Sequence, residues 1–369
     1  MKSLSDILVV SLEQAVAAPY CSRLLAEAGA RVIKLERPGG DFARHYDTVV
    51  NGESAYFVWL NAGKESLEID LKQDQEKDLL ERMLAKADVF IQNIRPGALA
   101  KLGFDESKLD ELNPALITCN ISGYGEQGDF ASKKAYDFLV QAESGLVSVT
   151  GPPGEPSRVG ISVCDISTGL TAYSEILRAL IEREQNGHGK SLDISLFGVM
   201  SEWMSVPLVY YKDGGKLLGG TGVDHAQIAP YGVHQAADGP FIIAVQHNGE
   251  WKDLCEKVLH RPELVDDPKF KNNPERVENR PAVTAAIEAI TSVLPRKEVA
   301  TLMESAGIAY GDLNNCADVW EHPALRTKTI DSSGKTSTFV RRVCDEQESS
   351  RELPALGAHS KEIRDEFSI

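Results

Sequence analysis

Asp165 stands in RVGISVCDISTGL, residues 158–170, where a short apolar run from Val159 to Val163 meets an acid at an expected helix N-terminus. Two kinds of chemistry suit it. As a helix cap its carboxylate accepts hydrogen bonds from exposed backbone N–H groups, and position alone favours this reading. As a nucleophile it attacks a thioester carbonyl and forms an anhydride, which splits one hard acyl exchange into easier steps. A nucleophile of that kind needs backbone N–H groups near the developing oxyanion, and glycine-rich turns supply them.

Other groups stand at places where a ligand is expected. GYG at 123–125 reads as a turn, and KKAYD at 133–137 offers Lys134 either as half of a solvated basic pair or as a contact for an anion. NIRPGALAKLGF, 93–104, runs from a strand end through Arg95-Pro96-Gly97 into a helix. It is a well-formed turn with proline in the first helical turn. It also sets Asn93 and Arg95 at the C-terminal end of a strand, the usual ligand crevice of parallel sheets. Arg37 and Lys72 follow strands as well. Three cations gathered at one sheet edge suit a phosphate-bearing ligand. His225 is a possible general base in a loop, although a lone loop histidine is more often structural. Cys164 has no neighbouring histidine and reads as a packed thiol.

The elements that must hold these groups follow from local patterning. DILVV (6–10) is a strand, a helix spans about 19–28 with Pro19 in its first turn and Gly29 beyond its end, and RVIKLE (31–36) is a second strand. This βαβ unit predicts a parallel sheet with a right-handed crossover. SLEIDL, DVFIQN and ALITCNI, with a charged helix at 74–86, continue the pattern. A helix from Asp165 to about Glu184, a strand at 191–197 and a helix to about Tyr211 follow. KDGGKLLGGTG, 212–222, reads as a linker, and a second αβ unit runs through PFIIAVQ (240–246) to a short strand at 308–313. Residues 330–352, polar and containing Ser-Ser-Gly, read as a second linker before a C-terminal helix. The turn after the first strand, SLEQAVAAP, lacks GxGxxG, and no GxxxxGK[ST] occurs. A recognisable NAD or P-loop site is therefore excluded.

Composition narrows the function further. The 369 residues carry a net charge of −16, with pI near 5.0 and mean hydropathy −0.22. An acidic chain repels phosphate backbones, so no nucleic-acid partner is expected. No apolar run approaches the ~20 residues of a membrane span, so no membrane partner is expected either. The six cysteines lie far apart, with no CxxC pair and no Cys/His cluster of metal spacing. Reduced thiols and no metal site are expected. MKSLSDILVV has no signal-peptide pattern. A cytoplasmic enzyme is expected, or a mitochondrial-matrix one whose presequence has been removed.

Taken together, these segments resemble the class III CoA-transferases, of the formyl-CoA transferase and carnitine CoA-transferase type. The resemblance runs through RVIKLERPGGDFAR (31–44), YFVWLNAGKESLEIDLK (56–72), DVFIQNIRPGALAKLGF (88–104), ISGYGEQG (121–128), AYDFLVQAESGLVSVTG (135–151), VGISVCDISTGL (159–170), IAPYGVHQAADG (228–239) and PALGAHSKEI (354–363). No one motif is diagnostic; their order and spacing are specific.

The resemblance implies an α/β fold. A Rossmann-like large domain with a parallel sheet is built from both chain ends (1–211 and 331–369), joined by the 212–222 linker to a small central α/β domain (223–330). Two such chains form an interlocked homodimer. It implies that Asp165 is the nucleophile. Val16, Arg37, Ile69 with the stretch to Lys72, Asn93, Ile94, Arg95, Ala98, Lys101, Lys134 and Tyr136 match positions that contact coenzyme A. Gln14 and Ala15, with Val16, match the loop lining the active site, and Gly219 and Gly220 stand in for a mobile glycine loop. The implied reaction moves CoA from an acyl-CoA to a free acid, short-chain or dicarboxylic, with no metal or redox cofactor. Two departures concern the acceptor. Gln14 replaces a histidine of formyl-CoA transferase, and its tetraglycine loop has no clear equivalent. The alternative on the same fold is a 2-methylacyl-CoA racemase, whose Gly-His-Asp is here Ala135-Tyr136-Asp137.

Overall fold

The computed structural model of the protein describes residues 4–343 and 351–368; Cys344 lies outside them. Two compact units emerge. The first takes the chain up to Leu146, Arg158–Leu208 and the chain from Arg326 onward; the second takes Val147–Ser157 and Val209–Leu325.

The first unit is a parallel six-stranded sheet in the order β3-β2-β1-β4-β5-β6. Its elements are β1 (Leu8–Leu12), α1 (Ala17–Glu27), β2 (Arg31–Glu36), α2 (Ala55–Asn61), β3 (Glu65–Glu68), α3 (Asp74–Leu84), β4 (Val89–Gln92), α4 (Ala98–Lys101), α5 (Glu106–Leu112), β5 (Ile117–Ser122), α6 (Asp137–Glu143), α7 (Val163–Asn186), β6 (Ser191–Ser195) and α8 (Leu196–Trp203). The central strands are apolar on both faces because helices cover both. Val9, Ile91, Ile117 and Cys119 face a cluster with α1 and α7, while Val10, Ile33, Leu35 and Phe90 face a second with α3, α5 and the C-terminal helix Ser360–Glu366. That last helix is tied to β3: the Glu68 N–H donates to Ser360 Oγ at 3.1 Å and the Gly357 N–H to Ser66 Oγ at 3.0 Å. Strand order reverses between β1 and β4, and parallel α/β sheets bind ligands beyond the carboxyl ends of their strands at such a point.

Part of the expected second linker is instead a hairpin, β10 (Thr327–Ser332) and β11 (Lys335–Val340), with Ile330 and Arg351 in register where β12 (Arg351–Glu352) joins it. Ser333 (φ 50°) and Gly334 (φ 73°) are both left-handed, as a two-residue type I′ turn requires. The second unit holds the antiparallel sheet β7 (Tyr231–Ala236), β8 (Gly239–Ala244) and β9 (Ala309–Asp312), packed with the helices Arg280–Thr291 and Arg296–Ala306 around Phe241, Ile243, Trp251 and Ile287.

Candidate active site

The loop after β1 is fixed by its neighbours across the switch point. Asn93, just past β4, donates through Nδ2 to the Gln14 carbonyl at 2.8 Å and accepts the Gln14 N–H on Oδ1 at 2.9 Å. Ala15 is held at φ 62°, a left-handed conformation that alanine avoids, and its N–H donates to Asp41 Oδ1 at 3.2 Å. Strain at a non-glycine residue of this kind is characteristic of functional loops.

Asp165 reaches the same place because α7 packs unusually close to α1. A Cβ on Gly169 would lie 2.5 Å from the Ala17 carbonyl oxygen and 3.0 Å from Tyr20 Cβ, so only glycine permits this approach. One turn earlier on α7 stands Asp165. It is not the helix cap. Asp137, the first residue of α6, fills that role: its Oδ1 accepts the N–H groups of Cys164 (2.8 Å) and Asp165 (3.2 Å), and its Oδ2 accepts Gln141 Nε2 at 2.6 Å. The Asp165 carboxylate has no hydrogen bond or ion pair among the described residues. Burial, and secondarily the Asp137 charge, push its pKa up to about 7 from the ordinary aspartate range. Burial and the two aspartates likewise raise the Cys164 thiol to about 12, in keeping with a packed thiol.

A cavity of about 490 Å³ opens over Asp165. Of the residues singled out in the sequence, Gln14, Ala15, Val16, Asn93, Ile94, Arg95, Lys134, Tyr136 and Asp165 line it. Gly123 makes room for the Lys134–Tyr136 stretch beside the end of β5, since a Cβ there would be 2.2 Å from Ala135 Cβ. Arg95, Lys134 and Arg158 line the cavity with no carboxylate partner among the described residues, whereas Lys133 pairs with Glu143. A larger hollow, about 710 Å³, carries Asp105, Glu106, Asp110, Glu126 and Asp193 against Arg95 and Lys190, a balance unsuited to a polyanion.

The remaining candidates lie elsewhere. Arg37 follows β2, Lys72 follows β3, and Ala98 and Lys101 bound α4 beyond β4; all sit beyond the C-terminal edge of the sheet but do not line the cavity. Ile69 is buried, so its side chain belongs to the core. Gly219 and Gly220 fall in the second unit, where a Cβ on Gly220 would lie 2.2 Å from the Gly151 carbonyl oxygen. His225 and His234 are in that unit too. His225 stacks on Tyr231 at 5.1 Å, and burial lowers buried His234 to about 4.

Sequence reading missed an aromatic wall. Phe42, Tyr46 and Tyr56 line the cavity, with Phe42–Tyr46 centroids 5.8 Å apart and Tyr46–Tyr56 at 6.1 Å. Tyr56 Oη lies 3.3 Å from Ser162 Oγ, three residues before Asp165. The Tyr46 phenol is pushed up to about 12 by burial and by the Asp41 and Asp165 charges, so it stays a neutral donor. The local signal was spacing: 42/46 is a same-face helical interval. Arg158 had none. It lies over the Phe138 ring at 5.5 Å, on a strap that Gln141 grips by accepting the Val159 N–H at 2.8 Å.

The sequence profile of CoA-transferase family III matches residues 4–360. The chain belongs to CoA-transferase family III. It is 37% identical to the acetyl-CoA:oxalate CoA-transferase of Acetobacter aceti over 333 residues, covering 89% of this chain and 85% of that protein. It is 31% identical to the succinyl-CoA:glutarate CoA-transferase of Mus musculus, over 98% of this chain and 86% of that one. Among solved structures, a CaiB/BaiF family protein from Brucella suis superposes with a TM-score of 0.83 at 34% identity, covering 100% of both chains. Rv3272 from Mycobacterium tuberculosis superposes with a TM-score of 0.86 at 26% identity, covering 98% of this chain and 99% of that one. As a family III CoA-transferase the protein is an enzyme that uses CoA thioesters, and its parallel α/β sheet is the architecture of the CaiB/BaiF structures.

Proposed function

We propose that the enzyme transfers CoA between a donor acyl-CoA and a dicarboxylic acid, with Asp165 as a covalent nucleophile. The observation that carries this reading is the unpartnered Asp165 carboxylate at the wall of a cation-bordered cavity. The Asp165 carboxylate oxygen attacks the donor thioester carbon, the C–S bond breaks, and CoA leaves as its thiolate from a mixed anhydride. The thiolate then attacks the aspartyl carbon, releasing the donor acid and leaving an aspartyl-CoA thioester. The acceptor carboxylate attacks that thioester and expels CoA thiolate. The thiolate finally attacks the acceptor's acyl carbon, giving the new acyl-CoA and free Asp165. No electron is gained or lost. The positive end of the α7 helix dipole favours each oxyanion.

The sheet-edge cations Arg37, Lys72, Arg95, Lys101 and Lys134 are proposed to hold CoA phosphates, with Val16, Ile69, Asn93, Ile94, Ala98 and Tyr136 beside them; Gln14 and Ala15 are proposed to face the acyl group. A dicarboxylic acceptor is supported by the oxalate and glutarate named for the relatives and by Arg158, a cation with no carboxylate partner among the described residues. Residues 1–211 with 331–369, and 223–330, are proposed as large and small domains of an interlocked homodimer working in the cytoplasm. No helix among the described residues is long and apolar enough to cross a membrane. Racemisation is disfavoured, because both carboxylate oxygens of Asp137 are occupied and position 136 carries a tyrosine in place of an imidazole base.

The test is a panel of acyl-CoA donors against free acids in deuterated water. CoA should move to a dicarboxylic acid with parallel double-reciprocal lines and no deuterium at the α carbon. Rapid α-deuteration without an acceptor contradicts the proposal.

A further inference from the structure

Of the charged side chains buried in the first unit, four form one connected group that takes no part in the steps above. Glu13 follows β1, Lys34 is in β2, Asp41 lies in the loop beyond it and Lys64 precedes β3; none is more than 4% exposed. Lys64 Nζ donates to Glu13 Oε1 at 2.7 Å, to Asn61 Oδ1 at 3.0 Å and to the Pro19 carbonyl at 3.1 Å. Lys34 Nζ donates to Asp41 Oδ2 at 2.9 Å and stands 3.4 Å from Glu13 Oε1. Glu13 Oε2 accepts the hydroxyls of Ser11 (2.6 Å) and Ser22 (2.5 Å). The two carboxylates and two ammoniums balance.

Buried ion pairs are weak evidence for stability, since apolar side chains of the same volume often serve as well. Their placement therefore calls for another account, and the hydrogen bonds supply it. Glu13 immediately precedes Gln14, and Asp41 Oδ1 accepts the N–H of left-handed Ala15, the next residue of the loop that borders the Asp165 cavity. The same oxygen accepts the Ala43 N–H at 3.0 Å. Asn93 clamps Gln14 from the other side.

We infer that the Glu13–Lys64–Lys34–Asp41 quartet is a positioning device that holds the Gln14–Val16 loop in its left-handed shape beside Asp165. Its effect on catalysis, though not on the loop, rests on the function proposed above. The device is ionic, so it is sensitive to pH. The groups facing Lys64 are Glu13 after β1, Lys34 from β2, Asp41 from the following loop, Asn61 from α2, and the Pro19 carbonyl and Cys21 from α1; Glu36 also faces Lys34. Burial lowers Lys64 to about 8 against the pull of Glu13, and Lys34 adds to the lowering. Glu13 itself is lowered to about 2 by the two lysines, which outweigh its burial. Above pH 8 Lys64 gives up its proton, the quartet acquires net negative charge, and the loop loosens.

The test uses the full chain and the double variant Glu13→Gln/Lys64→Met, which removes one charge of each sign, together with Asp41→Asn. Amide hydrogen exchange is followed at Gln14–Ala18, and kcat is measured against pH. In both variants, loop amides should exchange at least about tenfold faster with the β5 and α7 amides unchanged, and kcat should fall roughly 30- to 100-fold, the scale of a small misplacement of reacting groups. The alkaline limb near pH 8 should vanish in the double variant only. Should that variant fail to fold, Asp41→Asn carries the test alone, because Asn still accepts the Ala15 N–H but loses the ion pair to Lys34. Wild-type loop exchange in the folded variants overturns the inference whatever the activity. Faster loop exchange in an enzyme whose wild type transfers no CoA leaves the positioning intact and overturns the proposed function instead.

Discussion

Asp137 and Asp165 share one helix terminus: Asp137 Oδ1 accepts the Asp165 backbone N–H at 3.2 Å, while the Asp165 carboxylate has no hydrogen-bond or ion-pair partner among the described residues. One aspartate satisfies the helix so that the other is free to react. Burial first, and the neighbouring Asp137 charge second, hold Asp165 less acidic than an ordinary aspartate.

Asp137→Asn should therefore make Asp165 more acidic. Removing the neighbouring charge lowers a pKa that now stands at about 7, although burial keeps it above the usual range. The acid limb of the kcat/KM profile should move to lower pH by about half a unit or more. Asp137→Ala should also lose the cap, costing roughly 1 kcal/mol. An unmoved acid limb in Asp137→Asn would detach that limb from this pair.

Asp165→Asn should stabilise the fold at alkaline pH. The folded-state pKa, about 7, lies above the ordinary value of 3.8, so the folded protein binds the extra proton between these values. Stability attributable to Asp165 is thus fully present below pH 4 and is lost as pH rises through 7. Discounted for solvent reaching the carboxylate, the variant should gain on the order of 1–2 kcal/mol over wild type at pH 8 and much less at pH 5. Urea denaturation at the two pH values measures the difference.

Gly169→Ala should push α7 away from α1, because the new Cβ would stand 2.5 Å from the Ala17 carbonyl oxygen. A loss of about 1–3 kcal/mol is the usual cost of overpacking. The displacement carries Asp165 with it, so kcat should fall more than stability alone explains. Thermal melting and initial rates on the same preparation separate the two.

Arg158→Leu should discriminate between acceptors. Losing one charge-assisted contact to a carboxylate raises KM for a dicarboxylic acid by roughly 10- to 100-fold, with a monocarboxylic acid of similar size little affected. Arg158→Lys should recover part of the loss. An equal rise in KM for the acyl-CoA donor would assign Arg158 to CoA instead.

What was readable in the sequence had local causes. RVIKLE and DVFIQN are apolar runs between turn residues, and they are β2 and β4 of the sheet. The hairpin at 327–340 was missed because its inward positions include Lys328 and Ser332, which break apolar alternation; Lys328 is buried against Glu27 at 2.5 Å. The cap of α7 was missed because Asp137 lies 28 residues before Asp165 and meets it only through the fold. Tyr46, Tyr56 and Arg158 join the site for the same reason: no motif links them, and only the fold brings them to one cavity.

The most direct test is to trap the enzyme in mid-reaction. Incubation with an acyl-CoA donor followed by hydroxylamine should convert an aspartyl thioester to a hydroxamate, and peptide mass spectrometry should find it at Asp165 and at no other carboxylate. Asp165→Asn should give no adduct and less than about 1% of wild-type transfer, since losing a covalent nucleophile costs several powers of ten. An adduct on another residue, or substantial transfer by the Asn variant, would contradict the account.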